Sequence, residues 1–403
     1  MYPVELRALF MEDTQESRGF LSNIRTYNNS LATASMNCNV DSHLLGLHPY
    51  CFRIHGQVYH LSSTLHPPED RVPNYNQIYF FDAERAIDER NRQADKYRLD
   101  RGLLFRLHQL MENINPYARS FKMMGQVERE EQERARRHGN QPRNLYMHIR
   151  ADRDLDLRRY NSVNANEVAA VFTTEDGFPP SCLQYEIVIH PRVGAQIQAN
   201  FGAISSDGLF RIQRMNPNCE PMTYPILFPQ GQRGYRDNIP HVTARGRERD
   251  KTTPLQYYSF KFQLRAPVFP IFQLARKLFL QYIVDCYTKI EGHRLDFLKN
   301  HQADLRVDLY SGLQDSIHQN GIDINSPDHD PNRRTGRRFI LPSSFPGSPR
   351  AMQQNFQDAM AIVREFGKPD LFITFTCNPS WPEITENLLL TILLIKQQQT
   401  DLI

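Results

Sequence analysis

Apolar and polar positions along this chain switch between two periods, and the clearest switch lies towards its C-terminal end. Across 348–366, Met352, Phe356, Met360 (or Ala359) and Val363 recur at helical spacing, which predicts one helix with an apolar stripe. Ser348 stands at its N-cap and Pro349 at the first helical position, where a missing N–H costs nothing. Gly367 and Pro369 stop it. Over 370–377 the period becomes two: Leu371, Ile373, Phe375 and Cys377 alternate with Phe372, Thr374 and Thr376. Both sets are largely apolar, which predicts a central strand buried on two sides.

The same reading upstream predicts helices over 4–11 and 17–31, the second with Phe20, Ile24, Tyr27 and Leu31 inward. A long helical stretch over 82–114 is interrupted near 98–102 and resumes over 117–124. Alternation predicts strands at 52–59, 78–81, 145–149, 185–189 and 209–212, with a short helix at 164–171. Tyr224-Pro-Ile-Leu-Phe-Pro229 reads as a stiff apolar plug on an extended backbone. Helices follow at 255–264 and 272–299. The second should face inward with Phe279, Ile283, Tyr287 and Ile290, leaving the Asp285–Lys289 pair on its surface.

These elements make an α+β protein: a mixed β and helical N-terminal region, then a mainly helical segment leading into the first strand of a further, incomplete sheet. The domain expectation is an α+β region at 1–229, a basic linker at 230–253, a mainly helical domain at 254–388 and a divergent tail at 389–403.

Charge changes this picture little. The net charge of +3 and a pI near 8.5 permit nucleic-acid binding without arguing for it. The run 126–138 sets four glutamates against four arginines, so it reads as a solvated helix with Glu–Arg pairs rather than a nucleic-acid arm. The 230–251 loop carries Arg233, Arg236, Arg245, Arg247, Arg249 and Lys251 but also Asp237, Glu248 and Asp250. The densest cation cluster is Arg333, Arg334, Arg337 and Arg338 around Gly336, a candidate phosphate contact against the alternative of a solvated loop. Arg294, Lys299, Arg306 and Tyr310 are a second candidate nucleic-acid face.

Six cysteines without a Cys-x-x-Cys pair read as buried, reduced thiols. Cys38, His43, His48 and Cys51 offer two sulfurs and two imidazoles to zinc, but their spacing is not that of a standard finger; satisfied loop or strand histidines are the alternative. The start MYPVELRALF lacks a secretory layout, and the apolar run at 388–395 is too short for a bilayer. The expectation is a nuclear or cytoplasmic protein, neither secreted nor membrane-bound.

FITFTCNPSWPEI, preceded by RFILPSSFPGSPR and QDAMAIVREFGKPD, resembles the Helitron transposase family of rolling-circle replication initiator–helicases. TYPILFP and RKLFLQYIVDCYTKIEGHRLDFLKNHQADLRVDLYSGLQD are similar to the same family. The resemblance implies an N-terminal "Helitron helicase-like" region preceding a His-hydrophobic-His nuclease and a distant helicase. In that family a divalent metal serves nicking and ATP serves the helicase. FITFTCNP resembles the first nuclease motif, which by resemblance puts Thr374, Thr376 and Asn378 beside DNA; Trp381 would stack on a base or cap a core.

The chemistry itself is missing from the sequence. Fourteen histidines contain no pair at i, i+2, no histidine or tyrosine follows Trp381, and no Gly-x-x-x-x-Gly-Lys-[Ser/Thr] loop occurs. Tyr257 and Tyr258 diverge by about 100° on a helix and read as core residues, not as paired nucleophiles. The expectation is a DNA-binding N-terminal portion, truncated before the nuclease histidines and catalytically incomplete, with no catalytic residue, metal site or cofactor of its own. Its partners would be single-stranded DNA and the missing nuclease and helicase parts. The alternative is a non-enzymatic interaction or structural module derived from a transposon fragment.

Overall fold

The computed structural model describes residues 2–40, 54–67, 73, 77–80, 83–149, 164–165, 169–174, 187–189, 209–240, 251–265, 269–302 and 341–371, with scattered positions between 373 and 386. The protein is α+β. Two compact units divide it, Met1–Gly292 and His293–Ile403.

The first unit opens with α1 (Val4–Met11), α2 (Gln15–Ser22) and α3 (Ile24–Leu31). The single helix expected over 17–31 is thus two. Ser22 Oγ and Asn23 Nδ2 both bond the Gly19 carbonyl, at 2.9 and 3.2 Å, and short polar side chains that compete for backbone in this way end helices. Phe20, Ile24, Tyr27 and Leu31 are all buried, so the face was read correctly although the break was not.

Two antiparallel sheets follow. The first has the order β1-β2-β7, formed by β1 (Ser35–Val40), β2 (Ile54–Ser63) and β7 (Leu209–Ile212), with a bulge between Asn37 and Asn39. The second has the order β4-β5-β3-β6, from β3 (Asn144–Ile149), β4 (Asn164–Ala165), β5 (Ala169–Thr174) and β6 (Ile187–Ile189). β3 is interior, and Leu145 to Ile149 are buried without interruption, as a strand covered on both faces must be. The described residues of the helix expected over 164–171 are strand instead. β5 pairs with β3 at six consecutive positions, and that tertiary ladder overrides local helix preference.

The strand expected at 78–81 is instead the short helix α4 (Gln77–Phe80). Its four side chains are buried; Tyr79 donates to the Leu31 carbonyl at 2.9 Å and Gln77 to that of Thr64 at 2.9 Å. A run of four apolar residues fits either period, and burial alone does not choose between them. α5 (Ala83–Tyr97) and α6 (Arg101–Ile114) part where expected, at Arg98 with φ +55°, and Asp100 caps α6 through the Leu103 N–H. α7 (Pro116–His138) is one helix, capped by Asn115. Its charged half is largely solvated, with Glu133–Arg137 at 3.4 Å, but Glu131 is buried and bonds both Arg134 and Arg143.

The rest of this unit gathers on the segment 216–228. α8 (Cys219–Thr223) leads into Tyr224, Ile226, Leu227 and Phe228, each 3% exposed or less. The expected apolar plug is present, but its backbone is turned rather than extended: the N–H groups of Leu227 and Phe228 both bond the Tyr224 carbonyl. Asn28 donates to the Thr223 carbonyl and Tyr117 to Asn218 Oδ1, tying α3 and α7 to the same hub. α9 (Pro254–Phe262), held by a Thr253–Gln256 capping box, α10 (Ile271–Leu274) and α11 (Lys277–Asn300) complete the description. The helix expected over 272–299 is interrupted at Arg276, where φ is +46°.

The inner face of α11 differs from the expected one. Leu278, Tyr282, Asp285, Cys286, Lys289 and Ile290 are buried, while Tyr287 is 56% exposed. The Asp285–Lys289 pair therefore lies inside, not on the surface, because the hub supplies both with partners.

In the second unit, α12 (Pro349–Phe366) forms with the expected ends, and Ser348 Oγ accepts the Ala351 N–H at 3.1 Å. No residue of α12 is buried. The strand expected over 370–377, and with it the start of a nuclease-like sheet, is not formed by the described residues there. Leu371, Ile373, Thr374 and Thr376 are irregular and exposed. Alternation signals a period but supplies no neighbour to satisfy a strand's N–H and C=O groups.

Candidate functional site

The sequence candidates fall in two groups. Arg333, Arg334, Arg337 and Arg338 lie outside the described residues, as do Arg306, Tyr310 and the side chains of Cys38, His43, His48 and Cys51. Thr374, Thr376, Asn378 and Trp381 lie on an exposed, irregular stretch of the second unit. Asn378 organises it: its Oδ1 accepts the Ser380 N–H at 3.0 Å, and its carbonyl accepts the Trp381 N–H at 3.1 Å. This turn leaves the indole 49% exposed.

The same unit holds an arrangement the sequence reading caught only through Arg294. Arg294, Phe297 and His301 follow at i, i+3 and i+7, which places them on one helical face. All three are exposed, and the Phe297 and His301 rings stack with centroids 3.9 Å apart and planes 20° from parallel. A flat aromatic surface beside a guanidinium accepts a base on its face and a phosphate at its edge. The available signal was aromatic residues between cations at helical spacing.

The first unit contains a buried charged cluster that sequence reasoning missed. Glu220 on α8 accepts hydrogen bonds from the Tyr258 and Tyr282 hydroxyls and faces Lys261 at 3.1 Å and Lys289 at 3.7 Å. Burial alone would raise this carboxyl, but the two ammonium charges and two hydroxyls outweigh it and bring it down to about 2. Burial would likewise lower Lys261 and Lys289, yet Glu220 keeps both above their ordinary value. Asp285 accepts the Tyr224 hydroxyl, and burial, opposed by Lys289, pushes it up to about 7. With Asp285 ionised, two negative charges meet two positive ones.

Glu220, Tyr258, Tyr282, Asp285 and Lys289 are each 3% exposed or less, so substrate has no route to them. Tyr258 is a core residue, and Tyr257 packs edge-on against it at 82°. The cluster is a clamp that fixes α9 and α11 to the hub.

Residues 257–402 match the family model described as the Helitron helicase-like domain at N-terminus. The Helitron resemblance read from the sequence therefore holds over α9 to α12. No curated protein matches the chain. The Helitron helicase-like segment supplies Tyr258, Lys261, Tyr282, Asp285 and Lys289 to the clamp, whereas Glu220 and Tyr224 precede it. It also contains Arg294, Phe297, His301, Thr374, Thr376, Asn378 and Trp381. No helix among the described residues is long and apolar enough to cross a membrane.

Proposed function

We propose that this chain is the DNA-binding N-terminal portion of a Helitron-type rolling-circle transposase and that it grips single-stranded DNA without cutting it. The observation that carries the reading is the Helitron helicase-like match over 257–402, within which exposed cations, hydroxyls and aromatics occur together. Arg333, Arg334, Arg337 and Arg338 neutralise phosphates. Thr374, Thr376 and Asn378 donate to the backbone, and Trp381 stacks on a base. Lack of paired histidines and of a phosphate-binding Gly-Lys loop in the sequence supports a role short of nicking or unwinding.

The test is anisotropy of a labelled single-stranded oligonucleotide across a salt series. Binding should weaken linearly in log–log form, and replacing the four arginines by alanine should reduce the slope by up to about 3. Undetectable binding at low salt would reject the proposal.

A second reading, a protein-interaction module, draws on α12. Met352, Phe356 and Phe366 there are 60, 64 and 82% exposed, an apolar stripe of the kind that marks docking surfaces. Sedimentation of a strictly monomeric chain that still binds DNA after Phe356→Ser would count against it.

A further inference from the structure

In the first unit, away from the clamp, α1, α2 and α6 leave an open groove between them with a volume of about 430 Å³. Pockets of roughly 300–1,000 Å³ are the size that accepts a ligand or the anchoring side chains of a partner. The floor is apolar. Leu9, Leu103 and Leu107 are 6% exposed or less, and Ala8 and Leu110 stand half-buried beside them. The groove is held in shape by the fold's own bonds. Thr14 Oγ1 accepts the Ser17 N–H at 3.1 Å and starts α2, and the Arg106–Glu16 ion pair ties α2 to α6. A preformed floor of this kind lowers the ordering cost of binding.

The rim is acidic. Glu5, Glu12 and Glu16 line it with exposed side chains, and among the described residues Arg106 is the one cation of the lining. Arg106 is spent on Glu16, which leaves Glu5 and Glu12 without an ion pair among the described residues. The backbone adds to the same sign. α1 ends at Glu12, and its last turn holds no basic residue. A helix C-terminus carries partial negative charge on its free carbonyls, and a cation there is favourable. Here a carboxylate stands in that place instead, so the groove combines an apolar floor with an unbalanced negative edge.

We propose that this groove docks a basic amphipathic helix of a partner protein. An apolar side chain of the partner seats against Leu107 and Leu110, and its lysines or arginines face Glu5 and Glu12. Charge complementarity selects this occupant, because nucleic acid and anionic lipid both bring the wrong sign to the rim. The groove lies upstream of the Helitron helicase-like match at 257–402, so the inference stands independently of DNA binding.

The experiment titrates the full chain into a fluorescein-labelled synthetic peptide of leucine and lysine in helical period and reads anisotropy. Two controls accompany it: the same composition scrambled to lose its apolar face, and a leucine–glutamate counterpart. Saturable binding is expected for the leucine–lysine helix alone. Glu5→Lys with Glu12→Lys reverses two exposed charges and should weaken it by about tenfold or more. Ala8→Phe fills the groove and should abolish it; if that variant fails to fold, the double charge reversal still decides. No saturable binding, equal binding of either control, or a charge-reversed protein that binds as well as the unaltered chain would each overturn the proposal. So would a dimer in sedimentation that Ala8→Phe converts to monomer, since the groove would then belong to a second copy of the chain.

Discussion

At the scale of single residues, Glu220 is the side chain on which most depends. Its carboxylate answers two buried ammonium groups and two tyrosine hydroxyls. Glu220→Gln keeps the shape and removes the charge, leaving Lys261 and Lys289 without their counter-ion. A loss of about 3–5 kcal/mol in urea unfolding is expected, and a loss below about 1 kcal/mol would show that the cluster contributes little. Asp285 works in the opposite sense. Its folded value of about 7 lies above the ordinary 3.8, so the unfolded chain gives up its proton first as pH rises. Stability should fall between roughly pH 4 and pH 7, by up to about 4 kcal/mol. Glu220, held near 2 against 4.5, contributes above about pH 4.5 and loses that contribution only as pH drops towards 2. Asp285→Asn should flatten the decline from pH 4 to 7; an unchanged slope would place its origin elsewhere. Gly231 is constrained twice, by φ of +67° and by Pro116, whose Cγ would sit 2.5 Å from an added Cβ. Gly231→Ala should cost about 1–2 kcal/mol from the backbone alone, with the rigid proline ring adding to it.

At the scale of elements, the clamp shows that α9 and α11 do not stand by themselves. Phe228 packs 5.5 Å from the Tyr282 ring and 5.9 Å from Phe272, and Lys261 lies 4.4 Å over its face. All of this crosses position 257, where the Helitron helicase-like match begins. A protein consisting of residues 257–402 should therefore lack cooperative thermal unfolding. Extending it upstream to include the 216–228 hub alone should not rescue it, because the hub is itself anchored by Asn28 and Tyr117. A sharp two-state transition in the short fragment would refute this. α12 offers a contrasting case. Its stability rests on local signals, so Ser348→Ala should cost about 1 kcal/mol of helix stability, read as reduced protection of the first-turn amides.

At the scale of the whole molecule, binding to single-stranded DNA is the property to measure, and its salt slope separates phosphate contacts from stacking. Phe297→Ala should weaken binding with little change in that slope, since it removes a stacking surface and no charge. A changed slope would argue that Phe297 acts by positioning Arg294. Much of the architecture was legible beforehand: the α5–α6 break, the α12 boundaries and cap, and strands β2, β3, β6 and β7. Each depends on signals carried within a few residues, namely capping side chains, glycine and proline, and apolar period. The family resemblance was legible over α9 to α12, but the geometry of the buried clamp was not. The lone pair of Asp285 and Lys289 looked like surface decoration because their partners are far away in the chain, Tyr224 being 61 residues from Asp285. The strand expected at 78–81 and the helix expected at 164–171 came out with the other assignment in their described residues, because short runs fit both periods until a neighbour selects one.

The sequence by itself determined the ends of α1 and α12, the break between α5 and α6, which faces of α2 and α3 turn inward, and the Helitron helicase-like character of residues 257–402. Those properties are encoded by near neighbours. Tertiary structure alone decided that α11 buries charge, that the Tyr-Pro-Ile-Leu-Phe-Pro segment turns instead of extending, and that the described residues within 370–377 remain irregular. Each of these depends on which distant group arrives to satisfy a charge, a carbonyl or a strand edge, and a linear pattern of residues does not specify that meeting.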